Sequence, residues 1–409
     1  MSDLQADQFV VPKYEPADEE SNLLIQGLVE AAFRDCPPRP TSAPKLRLAM
    51  CDVLAAFQES KTGLLAWQTN QEQFVDAAYK RTCAENLRSR LLKEEWLEIA
   101  QRGKIGTCQL YRWTGKIALP EINFRKYGSG HLVRIRGAKT TSQGGKAKKG
   151  KQLNIKKFQP KIQEQIDKMQ IINDMMAAYP LYDDEGTAWS SCYRGFNEGR
   201  LDKGGRIYGD WQNKKPHERL AMTVGGFPVV EVDIKGSFLF LGNHLSSRPI
   251  ALGLDPYLNI PFVRDAETDD IRSQLRELAK IVVSAMWYAE KPLTRLPRGK
   301  EKNSFGSTIS LRQQFNLENE LCSDRIIKEV YATFPFLIEK ELDGFDLMFK
   351  ESEIILASML DLWDHNVPTY PVHDCLICKE DDVELVKVTI NKHMMIEVGA
   401  TPILEVKRR

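Results

Sequence analysis

Two short stretches decide how this chain is read: 227–235, FPVVEVDIK, and 370–378, YPVHDCLIC. In the first, Val230, Val232 and Ile234 alternate with Val229, Glu231 and Asp233, a period-two strand pattern in which Asp233 stands near the end, shortly before Gly236. The second predicts strand, tight turn at His373–Asp374, and strand. A carboxylate among apolar neighbours is costly to bury unless a partner or a cation neutralises it. Two such carboxylates brought together from separate strands repel, and magnesium, which favours oxygen ligands shared with substrate phosphates, relieves that repulsion. Two-metal phosphoryl transfer needs this arrangement, with one ion activating a 3′-hydroxyl and the other steadying the leaving pyrophosphate. Plainer readings stand beside it: Asp233 as a strand-end acid paired with a lysine such as Lys235, and Asp374 as a turn residue capping its own backbone.

A third stretch adds cations. Arg272, Arg276, Lys280, Ser284 and Tyr288 recur every fourth position and share one face of a helix predicted over 270–290. Ile271, Leu275, Leu278, Val282, Ala285, Met286 and Ala289 form the face expected to pack inward. Cations in line can clamp a triphosphate, and a terminal aromatic ring can stack on a base or crowd a sugar. An amphipathic helix with a solvated basic face carries the same pattern.

The rest of the chain sets the frame. Its 409 residues, 42% hydrophobic and 28% charged with a net charge of +1, suit a soluble globular protein of two or three domains. No run of about 18 apolar residues or secretory leader is visible, so no membrane partner is expected and the location is read as cytoplasmic. The eight scattered cysteines read as free thiols in a reducing compartment. Charge is local: 131–161 holds Arg134, Arg136, Lys148, Lys149 and further lysines among Gly144, Gly145 and Gly150, with no acid, and predicts a flexible basic loop that either neutralises phosphates or is simply solvated. Residues 1–20 read as disordered, 45–99 and 158–178 as helical, and 104–136 as short apolar units. Further on, 292–316 reads as a polar loop, 318–332, 346–365 and 381–397 as helices, and 403–406 as a final strand.

Minor candidates carry bland alternatives. Cys375 and Cys378 form a CxxC without a second pair, which argues against zinc. Glu231 reads as a salt-bridge partner or an accessory carboxylate, and His244 as a core or surface histidine. Trp189, Tyr208 and Trp211 can stack on bases or pack inside. The glycines of 204–209, GGRIYG, lack the GK[ST] of a phosphate loop.

Together these residues resemble the palm and fingers of family A DNA polymerases and of the single-subunit, phage-type RNA polymerases. Those families have an Asp ending a first palm strand, as in VEVDIKGSF, and a fingers helix with Arg, Lys four later and Tyr eight beyond, matched by Arg276, Lys280 and Tyr288. They also have a V-H-D hairpin, matched by Val372, His373 and Asp374. The GRIY of 205–208 is similar to a segment of the RNA polymerases. The C-terminal half, about 190–409, is most similar to short family-A-like polymerases of prophages, plasmids and mobile elements, in which a Glu-Ser pair (Glu351, Ser352) precedes the hairpin and some members make primers.

The resemblance implies an α/β (α+β) right-hand polymerase with an antiparallel palm sheet, helical fingers and a helical N-terminal region. The expected parts are a disordered tail over 1–20, a thumb-like or template-binding region over 21–185 with basic loop 134–161, palm over 186–262 and 345–409, and fingers over 263–344. It implies a DNA-directed nucleotidyltransferase with two Mg2+ held by Asp233 and Asp374. Its partners would be a DNA template-primer, nucleoside triphosphates and a helicase or small accessory protein. Arg276 and Lys280 would hold the triphosphate with Arg272 nearby, Lys280 would also protonate pyrophosphate, and Tyr288 would border sugar and base. His373 would meet the primer end, and Arg206, Lys148 and Lys149 would touch nucleic acid. Phe238 stands where the DNA polymerases have Glu, Cys375 where a Glu often follows the last Asp, and Ser284 where an aromatic is usual. These departures leave the sugar preference open and keep a phage-type RNA polymerase or a catalytically silent nucleic-acid-binding homologue as alternatives.

Overall fold

The structure is a computed structural model that describes residues 6, 8–10, 14–67, 74, 77–103, 108–126, 132–141, 147–148, 150–302, 308–317, 321–339 and 341–409. The chain divides into two compact units, Met1–Ile166 and Asp167–Arg409. The division falls before residue 185, where sequence composition had suggested a change of character.

The first unit is mixed rather than helical. Helices Glu19–Ala32, Ala43–Glu59 and Arg81–Lys93 pack with a four-stranded sheet ordered Gln8–Phe9, Leu64–Ala66, Leu110–Trp113, Leu97–Gln101. Ile25, Met50, Leu54, Leu87, Leu91 and Trp96 form part of its buried core. The expected disordered tail is ordered where it is described. Tyr14–Pro16 is a strand paired with Phe124–Lys126, and the buried Asp52 carboxylate accepts from the Tyr14 amide at 2.7 Å and the Tyr79 hydroxyl at 2.6 Å. The basic segment is likewise not one flexible loop. Val133–Arg136 pairs with Gln152–Leu153, and Thr140–Thr141 with Ala147–Lys148, as nested antiparallel pairs. Val133 and Ile135 are buried and alternate with Arg134 and Arg136, a strand period hidden by the surrounding charge. Lys148 therefore sits in a strand, while Lys149 lies outside the described residues.

In the second unit the strand Phe227–Ile234 is the centre of a seven-stranded sheet. It pairs antiparallel with Cys375–Lys379 on one edge and with Leu404–Lys407 and Thr223–Val224 on the other. Tyr370–Val372 extends the sheet beyond Cys375–Lys379 through the expected tight turn. Four core residues of the central strand in succession, Val229 to Val232, are buried, as in a strand covered on both faces. The long helices Asp269–Tyr288, Gly344–Asp364 and Val383–Val398 match their predicted positions within a few residues. Segment 292–316, expected as a loop, contains the paired strands Arg298–Lys302 and Thr308–Ser310 and the helix Leu311–Gln314. Among the described residues no helix is long and apolar enough to cross a membrane.

Candidate active site

The central strand and the hairpin bring the two aspartates together. Asp233 is in register with Cys375, the residue after Asp374, and the Ile234 amide donates to the Asp374 carbonyl at 3.1 Å. Both chains turn away at once. Gly236, at φ 63°, starts the helix Ser237–His244, and His373 takes φ 60° in the hairpin turn, a left-handed conformation that a non-glycine residue adopts at a cost of about 1–3 kcal/mol. The hairpin is anchored from behind: the indole of the buried Trp211 and the Gln212 amide both donate to the Pro371 carbonyl, at 3.1 and 2.8 Å. Trp211 is thus a core residue.

Asp233 and Asp374 line one cleft of about 490 Å3 together with Arg206, Phe238, Arg276, Lys280, Ser284 and Tyr288. Six predicted site residues, Arg206, Asp233, Arg276, Lys280, Tyr288 and Asp374, therefore converge from four separate stretches. Arg272 does not join them: it is ion-paired with Asp269 and donates to the Ala266 carbonyl, so it stabilises the start of its own helix. His373 is exposed beside the hairpin, edge-on to Tyr208 with centroids 6.2 Å apart, and Tyr208 in turn stacks on Tyr193 at 5.4 Å. The helix Asp269–Tyr288 buries Leu278, Ala279, Val282, Val283, Met286 and Trp287, whereas Ile271, expected inside, is 41% exposed because it lies in the first turn, before the packed stretch begins.

Sequence reasoning missed the residue that organises the cleft. Glu351 is 0% exposed, on the helix Gly344–Asp364. One carboxylate oxygen accepts from Arg206 Nε at 2.9 Å and a second guanidinium nitrogen at 2.6 Å; the other accepts from Ser237 Oγ at 2.8 Å. A buried carboxylate is tolerable only with such complete pairing. The signal was present in Leu347, Met348, Ile354 and Ile355, apolar neighbours that place Glu351 on a core-facing stripe. The glycines of GGRIYG now have a reason too. A Cβ on Gly205, at φ 75°, would stand 2.8 Å from Ser352 Oγ, so this strand needs glycine to approach the helix closely enough for Arg206 to reach Glu351.

Acidic and basic groups meet in the cleft. The Asp374 carboxyl is pushed up to about 8, first by burial and then by the nearby Glu351 and Asp233 charges, with Arg206 opposing. Asp233, 22% exposed, is paired with Lys407 Nζ at 2.9 Å; its partner is this lysine of the last strand, not Lys235. Two carboxylates repelling one another across an oxygen-only donor set suit a hard divalent ion. Among the described residues no group of three or more His, Cys, Asp or Glu gathers as a metal cluster. Arg276 donates to Asp255 at 2.6 Å and lies 5.4 Å from the Tyr257 ring centre, while Lys280 pairs with Glu277 at 2.6 Å near the surface. The guanidinium of Arg206 sits 5.3 Å from the Phe238 ring centre. Glu231 is a buried salt-bridge partner of Arg219 at 2.6 Å rather than an accessory site carboxylate. Cys375 and Cys378 are buried free thiols, both pushed up by burial, and His244 lies against the Phe240 ring with centroids 4.2 Å apart.

No protein-family profile and no curated protein matches the chain. Among solved structures, the chain is similar to the POL domain of Pol1 from M. smegmatis, in complex with DNA primer-template and dNTP, at a TM-score of 0.35 and 12% identity over 66% of this chain. The match spans 57% of the length of that chain.

Proposed function

We propose that this chain is a template-directed nucleotidyltransferase, a family-A-like DNA polymerase of the kind carried by phages and mobile elements, with primer synthesis within its range. One observation carries the reading: Asp233 and Asp374, adjacent through strand register, share a cleft with Arg206, Arg276, Lys280 and Tyr288. In this reading Asp233 and Asp374 hold two Mg2+ ions, which supply charge neutralisation at the phosphates and activation of the 3′-hydroxyl.

The chain's own groups do the positioning. Arg276 and Lys280, one helical turn apart on the wall facing the carboxylates, hold the triphosphate by charge-assisted hydrogen bonds. Lys280, the more exposed of the two, would deliver a proton to departing pyrophosphate in this reading. Tyr288 stands against Phe345 at 5.3 Å, where Gly344 leaves room for its ring, and borders the sugar and templating base. Arg206, held by Glu351, meets the nucleic-acid backbone or the nucleotide, and His373, exposed at the hairpin turn, meets the primer end. Phe238 is a bulky ring in the cleft wall, which favours a sugar without a 2′-hydroxyl.

The test is incorporation by purified protein on primed and unprimed single-stranded DNA, with dNTPs and NTPs supplied separately and Mg2+ present or chelated. Mg2+-dependent extension with dNTPs supports the proposal. Extension with NTPs alone moves the assignment to a phage-type RNA polymerase, and nucleic-acid binding without incorporation to a silent homologue.

A further inference from the structure

Lys407 is not explained by the scheme above, yet its ammonium lies on one of the two proposed metal ligands. Strand register accounts for how it gets there. Lys407 is directly opposite Glu231 across the sheet, and Glu405 is directly opposite Asp233. Cross-strand neighbours of opposite charge normally pair. Glu231, however, is buried and already committed to Arg219 at 2.6 Å. The Lys407 stem therefore reaches along the diagonal to Asp233 Oδ2, at 2.9 Å. Diagonal neighbours lie roughly 7–8 Å apart at Cα, within reach of a lysine. Glu405, exposed and facing Asp233, adds a repulsive charge that an ammonium at this point offsets.

We propose that Lys407 is a tethered counter-ion of the carboxylate pair: it rests on Asp233 when no divalent cation is bound, and its displacement sets how tightly such a cation binds. The inference rests on the metal-binding reading of Asp233 and Asp374. The lysine side chain is 43% exposed and lines the open cleft, so it is free to swing away without disturbing packing. A cation that coordinates Asp233 must first displace a positive charge from the same oxygen, and that exchange weakens binding relative to a site without the lysine. For a partly exposed pair the penalty amounts to about a threefold to tenfold change in affinity. Lys407 acts through Asp233, so it is a positioning residue.

The experiment is a titration of the full-length protein with Mn2+, free ion being read by electron paramagnetic resonance at fixed pH and ionic strength, without nucleotide or DNA. Lys407→Met is expected to bind Mn2+ about threefold to tenfold more tightly than the unaltered chain, and Lys407→Arg, which keeps the charge, to stay close to it. A purely structural contact would leave the affinity unchanged or lower it on truncation, and either result overturns the inference while leaving the carboxylate pair as a metal site. Failure of the unaltered protein to bind Mn2+, with Asp374→Asn indistinguishable from it, overturns the metal-binding reading itself and this inference with it.

Discussion

Replacing Asp374 by Asn should stabilise the cation-free protein while abolishing nucleotide incorporation. The reason lies in the carboxyl displaced from its ordinary 3.8 to about 8 by burial and by the Glu351 and Asp233 charges. A group whose folded pKa is raised binds more protons in the native state than in the unfolded one, so stability is greatest below pH 4 on this account and falls as pH rises from about 4 to 8. At about 1.4 kcal/mol per pKa unit, the full displacement corresponds to about 6 kcal/mol of stability, lost progressively over that window as the unfolded chain ionises while the native carboxyl stays protonated. Asn keeps the shape and cannot ionise, so at pH 8.5 in a chelator Asp374→Asn should be more stable by about 3–5 kcal/mol, and at pH 4 nearly equal. The assay is urea unfolding of both proteins across pH 4–8.5, with and without 10 mM-range Mg2+. The ion should recover much of the loss in the unaltered chain and do nothing for the variant. A stability profile for the unaltered protein as flat as that of the variant, or a variant no more stable at pH 8.5, would refute the claim that the fold forces repelling carboxylates together.

The remaining expectations follow from single contacts. Glu351→Leu leaves the Arg206 guanidinium without its buried partner and should cost about 3–5 kcal/mol in urea unfolding. Gly205→Ala, strained at φ 75° and 2.8 Å from Ser352 Oγ, should cost about 2–4 kcal/mol and lower incorporation by tilting Arg206. Lys280→Ala should leave stability within about 0.5 kcal/mol, since its pair with Glu277 is near the surface, yet raise the nucleotide KM about tenfold or more in steady-state kinetics. Asp52→Ala removes the acceptor of the Tyr14 amide and the Tyr79 hydroxyl. It should cost about 2–4 kcal/mol and speed proteolysis near the N-terminus, seen by timed digestion and mass measurement.

What could be read from the sequence was local. The strand Phe227–Ile234, the hairpin around His373–Asp374 and the helix Asp269–Tyr288 each announce themselves through a single period of apolar residues, and each carries its site residue at a place that the period fixes. What depends on register or on distant pairing was not legible. The sheet of the first unit joins Phe9 to Ala66 and Leu65 to Tyr111, separations that no local pattern specifies. The pairing of Lys407 with Asp233 needs both the alignment of the last strand and the prior claim of Arg219 on Glu231. The adjacent Lys235 looked like the simpler partner, but the strand ends at Ile234 and its own amide is drawn to the Ile403 carbonyl. Glu351 was visible only as half of a dipeptide. Its role emerges once GGRIYG is seen as a strand that must press against a helix. In the basic segment, the alternation of Val133 and Ile135 was outweighed by the lysines around it.

The central claim is that the carboxylates of Asp233 and Asp374 jointly hold divalent cations. Anomalous diffraction from crystals grown with Mn2+ and a non-reactive nucleotide tests it most directly. The account predicts strong peaks between the two side chains, with an oxygen of each at roughly 2.2 Å and Lys407 withdrawn from Asp233. Peaks located elsewhere, or Asp374 still uncoordinated at saturating Mn2+, would contradict it.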